Sequence, residues 1–182
     1  MRQSHYFFAI PLSNKVKEKI AYVQDEIRKV HPFKSWVHPD DFHLTLAFLG
    51  SVKQEQLATV IKLANKVASE QEPFSLTLKK MDIFGPQKAP RVLWVDLFPS
   101  KELNKLRGKV YKACESVGFQ LDQRPFQPHI TLARKWKGNG DFLLQTNMLP
   151  FTNELLYVDH FVLYKTKMNE IPKYEIKKIF HL

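Results

Sequence analysis

Hydrophobic residues recur along this chain in two rhythms, and the switches between them predict its elements. Tyr6-Phe7-Phe8-Ala9-Ile10-Pro11-Leu12 is a short aromatic-rich run suited to a buried strand, and Pro11 marks its end. Ser13 can cap the helix that follows. There Val16, Ile20, Val23, Ile27 and Val30 recur at alternating four- and three-residue steps, an apolar stripe that must stop before His31-Pro32. A linker holding Pro32 and Pro39 leads into residues 42–50, which read as a strand. Ser51 and Gln54 have the spacing of a capping box, and Leu57, Val60, Ile61, Ala64, Val67 and Ala68 form the stripe of a second helix. A strand over 74–83 follows, with Phe74, Leu76 and Leu78 alternating.

The rest of the chain repeats this plan. Residues 91–98 read as a strand, and a helix after Pro99-Ser100 turns Leu103, Leu106, Val110, Ala113 and Val117 inward, with Gly118 as its stop. Beyond a proline-bounded loop, residues 128–134 are again strand-like, and two more strands close the chain over 157–164 and 174–181. The stretch 138–150, opening on Gly138-Asn139-Gly140, reads as a loop with no counterpart to the helix after Ser51. Sliding the first half by 86 positions lays Phe8 on Trp94, Ile20 on Leu106, His43 on His129, Thr45 on Thr131 and Ala47 on Ala133. This is the mark of an internal duplication. A strand-helix-strand unit cannot bury its sheet alone, so the expected fold is α+β and bilobal. It comprises two antiparallel sheets related by a pseudo-twofold axis, facing a central cleft, with the helices outside. The expected organisation is a single domain over 1–182, with approximate halves 1–85 and 86–182.

Composition narrows the setting. No stretch of the 182 residues approaches the ~20 apolar positions of a spanning helix, which excludes a helical integral membrane protein. Met1-Arg2-Gln3-Ser4-His5 runs straight into the first apolar segment with no small-residue cleavage site, which argues against a secretory signal. The single cysteine, Cys114, rules out an intramolecular disulfide and a cysteine-rich zinc site, so a cytoplasmic location is expected. Nothing calls for a membrane or an obligate protein partner. The formal charge of +10 gathers anions, so nucleic acid or a phosphorylated small molecule is the natural partner, although charge alone does not separate this from an ordinary basic surface.

The chemistry lies in His-x-Thr-Leu, found as His43-Leu44-Thr45-Leu46 and again as His129-Ile130-Thr131-Leu132, at matching places in the repeat. About 0.03 occurrences are expected by chance in a chain of this composition. On a strand, residues two apart share a face, so Leu44 and Leu46, like Ile130 and Leu132, point to the core while His43 with Thr45 and His129 with Thr131 point the other way. The bland alternative is two His-Thr pairs on solvated sheet faces. Two imidazoles in one cleft admit metal binding or paired acid-base catalysis. Metal needs a further good ligand. His38, Asp40 and Asp41 lie near His43 in sequence, but only Arg124 and Gln127 precede His129, and threonine ligates poorly. Histidine, with its ordinary pKa of ~6.5, suits acid-base work, and hydroxyls in a basic surround suit phosphate oxygens. The pattern points to in-line displacement at phosphorus without a metal cofactor.

These paired motifs, with Tyr6-Phe7-Phe8-Ala9-Ile10, Phe48-Leu49-Gly50, Pro128 and Leu163-Tyr164, resemble the two-histidine phosphoesterase superfamily. Within it the likeness is to the bacterial and archaeal RNA 2′,3′-cyclic phosphodiesterases, earlier described as 2′-5′ RNA ligases. The resemblance implies an enzyme of bilobal α+β fold that needs no cofactor and opens the 2′,3′-cyclic phosphate at an RNA end to a 2′-phosphate. It implies His43 as proton donor to the departing 3′ oxygen and His129 as the base that activates water. Thr45 and Thr131 would hold the phosphate, and Arg134 matches a basic position after the second motif. By simple alternation, however, Arg134 leaves its strand on the side away from His129 unless the strand bends. With a 5′-hydroxyl in place of water, the reverse reaction would form a 2′-5′ linkage. The chain departs from the family's pattern near its end, where Thr166 stands for a serine and Asn169-Glu170-Ile171-Pro172 replaces an expected glycine. A non-catalytic module that binds RNA ends or phosphorylated nucleotides is the alternative function. Phe7, Phe8, Phe48 and Trp94 are expected in the core, Cys114 as a packed thiol, and the lysines at 165, 167, 173, 177 and 178 on a solvated face.

Overall fold

Nine strands, three helices and one 3-10 turn make up the described elements of the computed structural model, which describes residues 4–143, 151 and 154–182. In chain order they are β1 (His5–Pro11), α1 (Asn14–Val30), β2 (Phe33–Trp36), the 3-10 turn Pro39–Asp41, β3 (His43–Ser51), α2 (Gln54–Ser69), β4 (Phe74–Phe84), β5 (Val92–Leu97), α3 (Lys101–Ser116), β6 (His129–Trp136), β7 (Leu155–Val158), β8 (His160–Thr166) and β9 (Tyr174–His181). Of the loop expected over 138–150, residues 144–150 lie outside the described residues.

The strands form one connected antiparallel path, β7-β4-β5-β6-β3-β1-β8-β9, with β2 added on β6. This corrects the expectation of two separate sheets. Its two ends, β7-β4-β5-β6 and β3-β1-β8-β9, meet at a single register pair, Leu44 opposite Ile130. Those are the residues that the 86-residue offset superposes. The neighbouring strands carry matched registers. Phe8 faces Ala47 as Leu93 faces Ala133, Ala9 faces Thr45 as Trp94 faces Thr131, and Pro11 faces His43 as Asp96 faces His129. Phe8 thus corresponds to Leu93 and not to Trp94, one residue away from the sequence match. In both places the register slips by one, leaving Leu46 and Leu132 as extra residues in β3 and β6.

The three helices cover one face. Val16, Ile20, Val23 and Ile27 of α1, Val60 and Ala64 of α2, and Leu103, Leu106, Val110 and Cys114 of α3 join one apolar core with Leu44, Leu46, Ile130 and Leu132. α1 ends before Pro32, and its last expected core position, Val30, is exposed instead. Ser100 caps α3 by accepting the Leu103 amide, and Gly118, at φ +89°, ends the run, a conformation that costs glycine nothing. Ser51 caps nothing: it is the last residue of β3, and α2 starts behind Lys53 without a side-chain cap. Two strand readings also change. β2 arises inside the Pro32–Pro39 linker, and the run 157–164 breaks at Asp159 into β7, which pairs with β4, and β8, which pairs with β1. Among the described residues no helix is long and apolar enough to cross a membrane.

Candidate active site

Parity along β3 and β6 sorts the side chains as their spacing predicts. Leu44, Leu46, Ile130 and Leu132 are buried, while His43, Thr45, His129 and Thr131 are half-buried on the opposite face. Each histidine opens its strand and is held in the same way. His43 Nδ1 lies 2.7 Å from the carbonyl oxygen of Asp41, and His129 Nδ1 lies 2.8 Å from that of Gln127. A carbonyl only accepts, so each Nδ1 carries the hydrogen and each Nε2 keeps its lone pair. The Thr45 hydroxyl, 3.1 Å away, donates to His43 Nε2.

Both carbonyl anchors are themselves fixed. The buried Asp41 carboxylate accepts the backbone amides of Lys173, at 2.9 Å to each oxygen, and of Tyr174 at 3.1 Å. The Gln127 amide donates to the buried Asp96 carboxylate at 3.4 Å, and Lys79 pairs with the other Asp96 oxygen. Aromatic rings wall each imidazole. Phe7 and Tyr174 stand 5.0 and 5.1 Å from His43, and Phe84 meets His129 edge-on at 5.0 Å while stacking on Trp94 at 4.6 Å. These desolvated surroundings disfavour the charged imidazolium. Burial pushes the pKa of His43 down to about 4, with His129 and Arg134 repelling its charge and Asp41 partly compensating. Burial, and the Arg134 guanidinium, also lower that of His129. Tyr164, close to His43, is pushed up to about 12 by burial and stays a neutral hydroxyl.

Arg134 lies on the histidine side, against simple alternation. The extra residue at Leu132 flips the parity of β6, so Leu132 and Ala133 both face the core and Arg134 emerges beside Thr131, its Nη2 donating to the threonine hydroxyl at 3.4 Å. The matching slip at Leu46 turns Phe48 out to 53% exposure, correcting its expected core position. Phe7, Phe8 and Trp94 are buried, but Phe7 belongs to a small cluster with Ala9, Val162 and Tyr164 apart from the main core, on the His43 side. Two hollows share Arg134 as a wall. One of about 810 Å³ includes His129, Thr45 and Phe48, and one of about 330 Å³ includes His43, Thr131 and Tyr174. Sequence reasoning did not single out Phe84, Tyr174 or Gln127 here. A rule that follows each His by its i−2 carbonyl would have found Gln127. Phe84 and Tyr174 reach the site only through strand order. Among the described residues no group of three His, Cys, Asp or Glu side chains is placed to hold a metal ion. Cys114 is buried in α3, its thiol pushed up to about 12 by that burial.

Comparison with known proteins places this geometry. The sequence matches the family described as LigT like phosphoesterase over residues 10–94 and 96–174. It is 43% identical, over 183 aligned positions, to an RNA 2′,3′-cyclic phosphodiesterase of Geobacillus stearothermophilus. That alignment covers all of this chain, which spans 58% of the length of the relative. An RNA 2′,3′-cyclic phosphodiesterase of Bacillus subtilis strain 168 is 36% identical over 94% of this chain and 92% of its own length. Among solved structures, E. coli LigT in its apo form superposes with a TM-score of 0.82 at 28% identity, covering 100% of this chain and 99% of that one. The same protein complexed with 3′-AMP gives 0.81 at 29% identity, over 98% of each chain.

Proposed function

This chain belongs to the LigT-like phosphoesterase family, and on that premise we propose that it hydrolyses the 2′,3′-cyclic phosphate at an RNA end to a 2′-phosphate by paired-histidine acid-base catalysis. The observation that carries the reading is the matched clamp on the two imidazoles. Each gives its Nδ1 hydrogen to a carbonyl two residues upstream, which leaves each Nε2 its lone pair, that of His43 accepting from the Thr45 hydroxyl, and Arg134 lines the hollow beside each. His129 Nε2 takes a proton from water as its oxygen attacks phosphorus. The P–O3′ bond opposite breaks, and His43, protonated at Nε2, gives that proton to O3′. The product is a 2′-phosphomonoester beside a free 3′-hydroxyl, and the two histidines reset by exchanging protons with solvent. Thr45, Thr131 and Arg134 hold the non-bridging oxygens, donors aimed where negative charge gathers. Bound phosphate also favours the imidazolium form of His43, offsetting the burial that keeps it neutral in the empty site. No step draws on a metal, and a 5′-hydroxyl in place of water takes the same forward steps to a 2′-5′ linkage.

The architecture belongs to the same proposal. The two ends of the sheet are two lobes of one duplicated unit, related by a twofold axis through the Leu44–Ile130 pair. The matched registers, the paired slips at Leu46 and Leu132 and the matched clamps on His43 and His129 support this. The setting proposed is cytoplasmic, in keeping with a lone buried thiol.

The test uses a short RNA ending in a 2′,3′-cyclic phosphate, incubated with the protein in excess EDTA and followed by phosphorus NMR. A 2′-phosphate is expected from the wild type, and a loss of at least about 10³-fold from His43→Ala and from His129→Ala. Salt-sensitive binding with no product would replace the enzyme by a binding module. A 3′-phosphate would mean that the other P–O bond is broken.

A further inference from the structure

One arginine lining the larger hollow pairs with no carboxylate among the described residues. Arg107, on α3, lines that hollow together with His129 and Arg134. Its guanidinium stands over the Tyr111 ring at 3.7 Å and over the ring of Phe126 at 5.0 Å, measured to the ring centres. Its Nε is buried without a hydrogen-bond partner. Asp122 also lines the hollow, but its carboxylate is taken by the guanidinium of Arg124. The lysines of the outer surface contrast with it: Lys19, Lys29, Lys80 and Lys109 each pair with a carboxylate. An arginine stacked on aromatic rings has given up most of its rotamer freedom, and its remaining donors form a planar fork that fits a phosphate.

We propose that Arg107 receives the phosphodiester on the 5′ side of the terminal nucleoside, so that the site is built for RNA ends and 5′-phosphorylated cyclic nucleotides above cyclic nucleosides. This rests on the proposed hydrolysis at His43 and His129. With the cyclic phosphate at Arg134, the hollow of about 810 Å³ has room for one nucleoside, and Phe48, Phe84 and Phe126 line it together with Arg107. RNA carries one anion per nucleotide, and the next one after the cyclic phosphate is this phosphodiester.

The experiment compares kcat/KM for adenosine 2′,3′-cyclic phosphate and for the same compound bearing a 5′-phosphate, on single preparations of wild type, Arg107→Gln, Arg107→Lys and Lys66→Gln. The wild type is expected to favour the 5′-phosphorylated substrate about tenfold or more, mainly through KM. Arg107→Gln should bring the ratio near one, and Arg107→Lys should restore part of it. Lys66→Gln, an equal loss of charge on an exposed position of α2, should keep it. The ratio of two substrates on one preparation is not moved by partial misfolding. Equal use of both substrates by the wild type overturns the proposal, as does a preference that survives Arg107→Gln. Turnover of neither substrate overturns this proposal, while the hydrolase reading stands or falls separately on the RNA with a 2′,3′-cyclic end.

Discussion

The surroundings of single residues give the protonation of the two imidazoles a direction in pH. The pKa of His43 is held near 4 in the folded chain against an ordinary 6.5. Below pH 6.5 the unfolded chain therefore takes up a proton that the folded chain refuses. Stability should fall as pH drops from about 6.5 towards 4, and His43→Gln should flatten that slope in urea denaturation series at fixed pH steps. Arg134 repels both imidazolium forms, so Arg134→Gln should raise the pKa of His43 and of His129, read from their imidazole nitrogen resonances. On the proposed mechanism the same change removes a charged donor to the phosphate, so it should lower kcat/KM roughly 10- to 100-fold. Pairing of rate loss with upward pKa shifts separates Arg134 from a merely structural arginine. At this scale the two His-Thr pairs were legible, because alternation on a strand is a local property. The side taken by Arg134 was not. It depends on the slip at Leu132, which β5 imposes across the ladder.

At the scale of elements, the slip itself needs holding. Leu132, the extra residue of β6, gives its carbonyl to the Val37 amide and to the buried Gln24 side chain of α1, each at 2.9 Å, and the same Gln24 nitrogen donates to Val37 O. Gln24 is a positioning residue by this account. Gln24→Leu should cost about 1–3 kcal/mol in denaturant unfolding, because the Val37 carbonyl loses the Gln24 donor and the Leu132 carbonyl loses one of its two. It should also lower kcat with little change in KM on a cyclic mononucleotide, as Arg134 loses its aim. Recovery of kcat in Gln24→Asn would sink the idea, since asparagine is one methylene too short to reach both carbonyls. The helices were largely legible from their stripes. β2 was not, because Phe33-Lys34-Ser35-Trp36 is short, mixed in polarity and closed in by prolines, and only pairing with β6 makes it a strand. The break between β7 and β8 at Asp159 is equally tertiary, since the two pair with different strands.

At the scale of the whole molecule, the two ends of the sheet depend on each other. Strands from the beginning and end of the chain, β1, β3, β8 and β9, make one end, and those from its middle, with β7, make the other. The fold therefore closes only when the last strands come home. Leu44→Ala, at the joint, should destabilise by about 2–5 kcal/mol. It should do so within a single unfolding transition seen alike by near- and far-ultraviolet circular dichroism; two separated transitions would mean that the ends fold independently. The sequence by itself determined the helical stripes, most strands, the basic field and the two repeated motifs with the face each turns inward, all consequences of local periodicity and side-chain chemistry. Only the tertiary structure decided that the strands join in one path, that the chain's last strands flank its first, that β-bulges turn Phe48 and Arg134 out on the histidine side, and that burial lowers both imidazole pKa values. Each of those depends on pairing or desolvation between residues far apart in the chain, which no local pattern encodes.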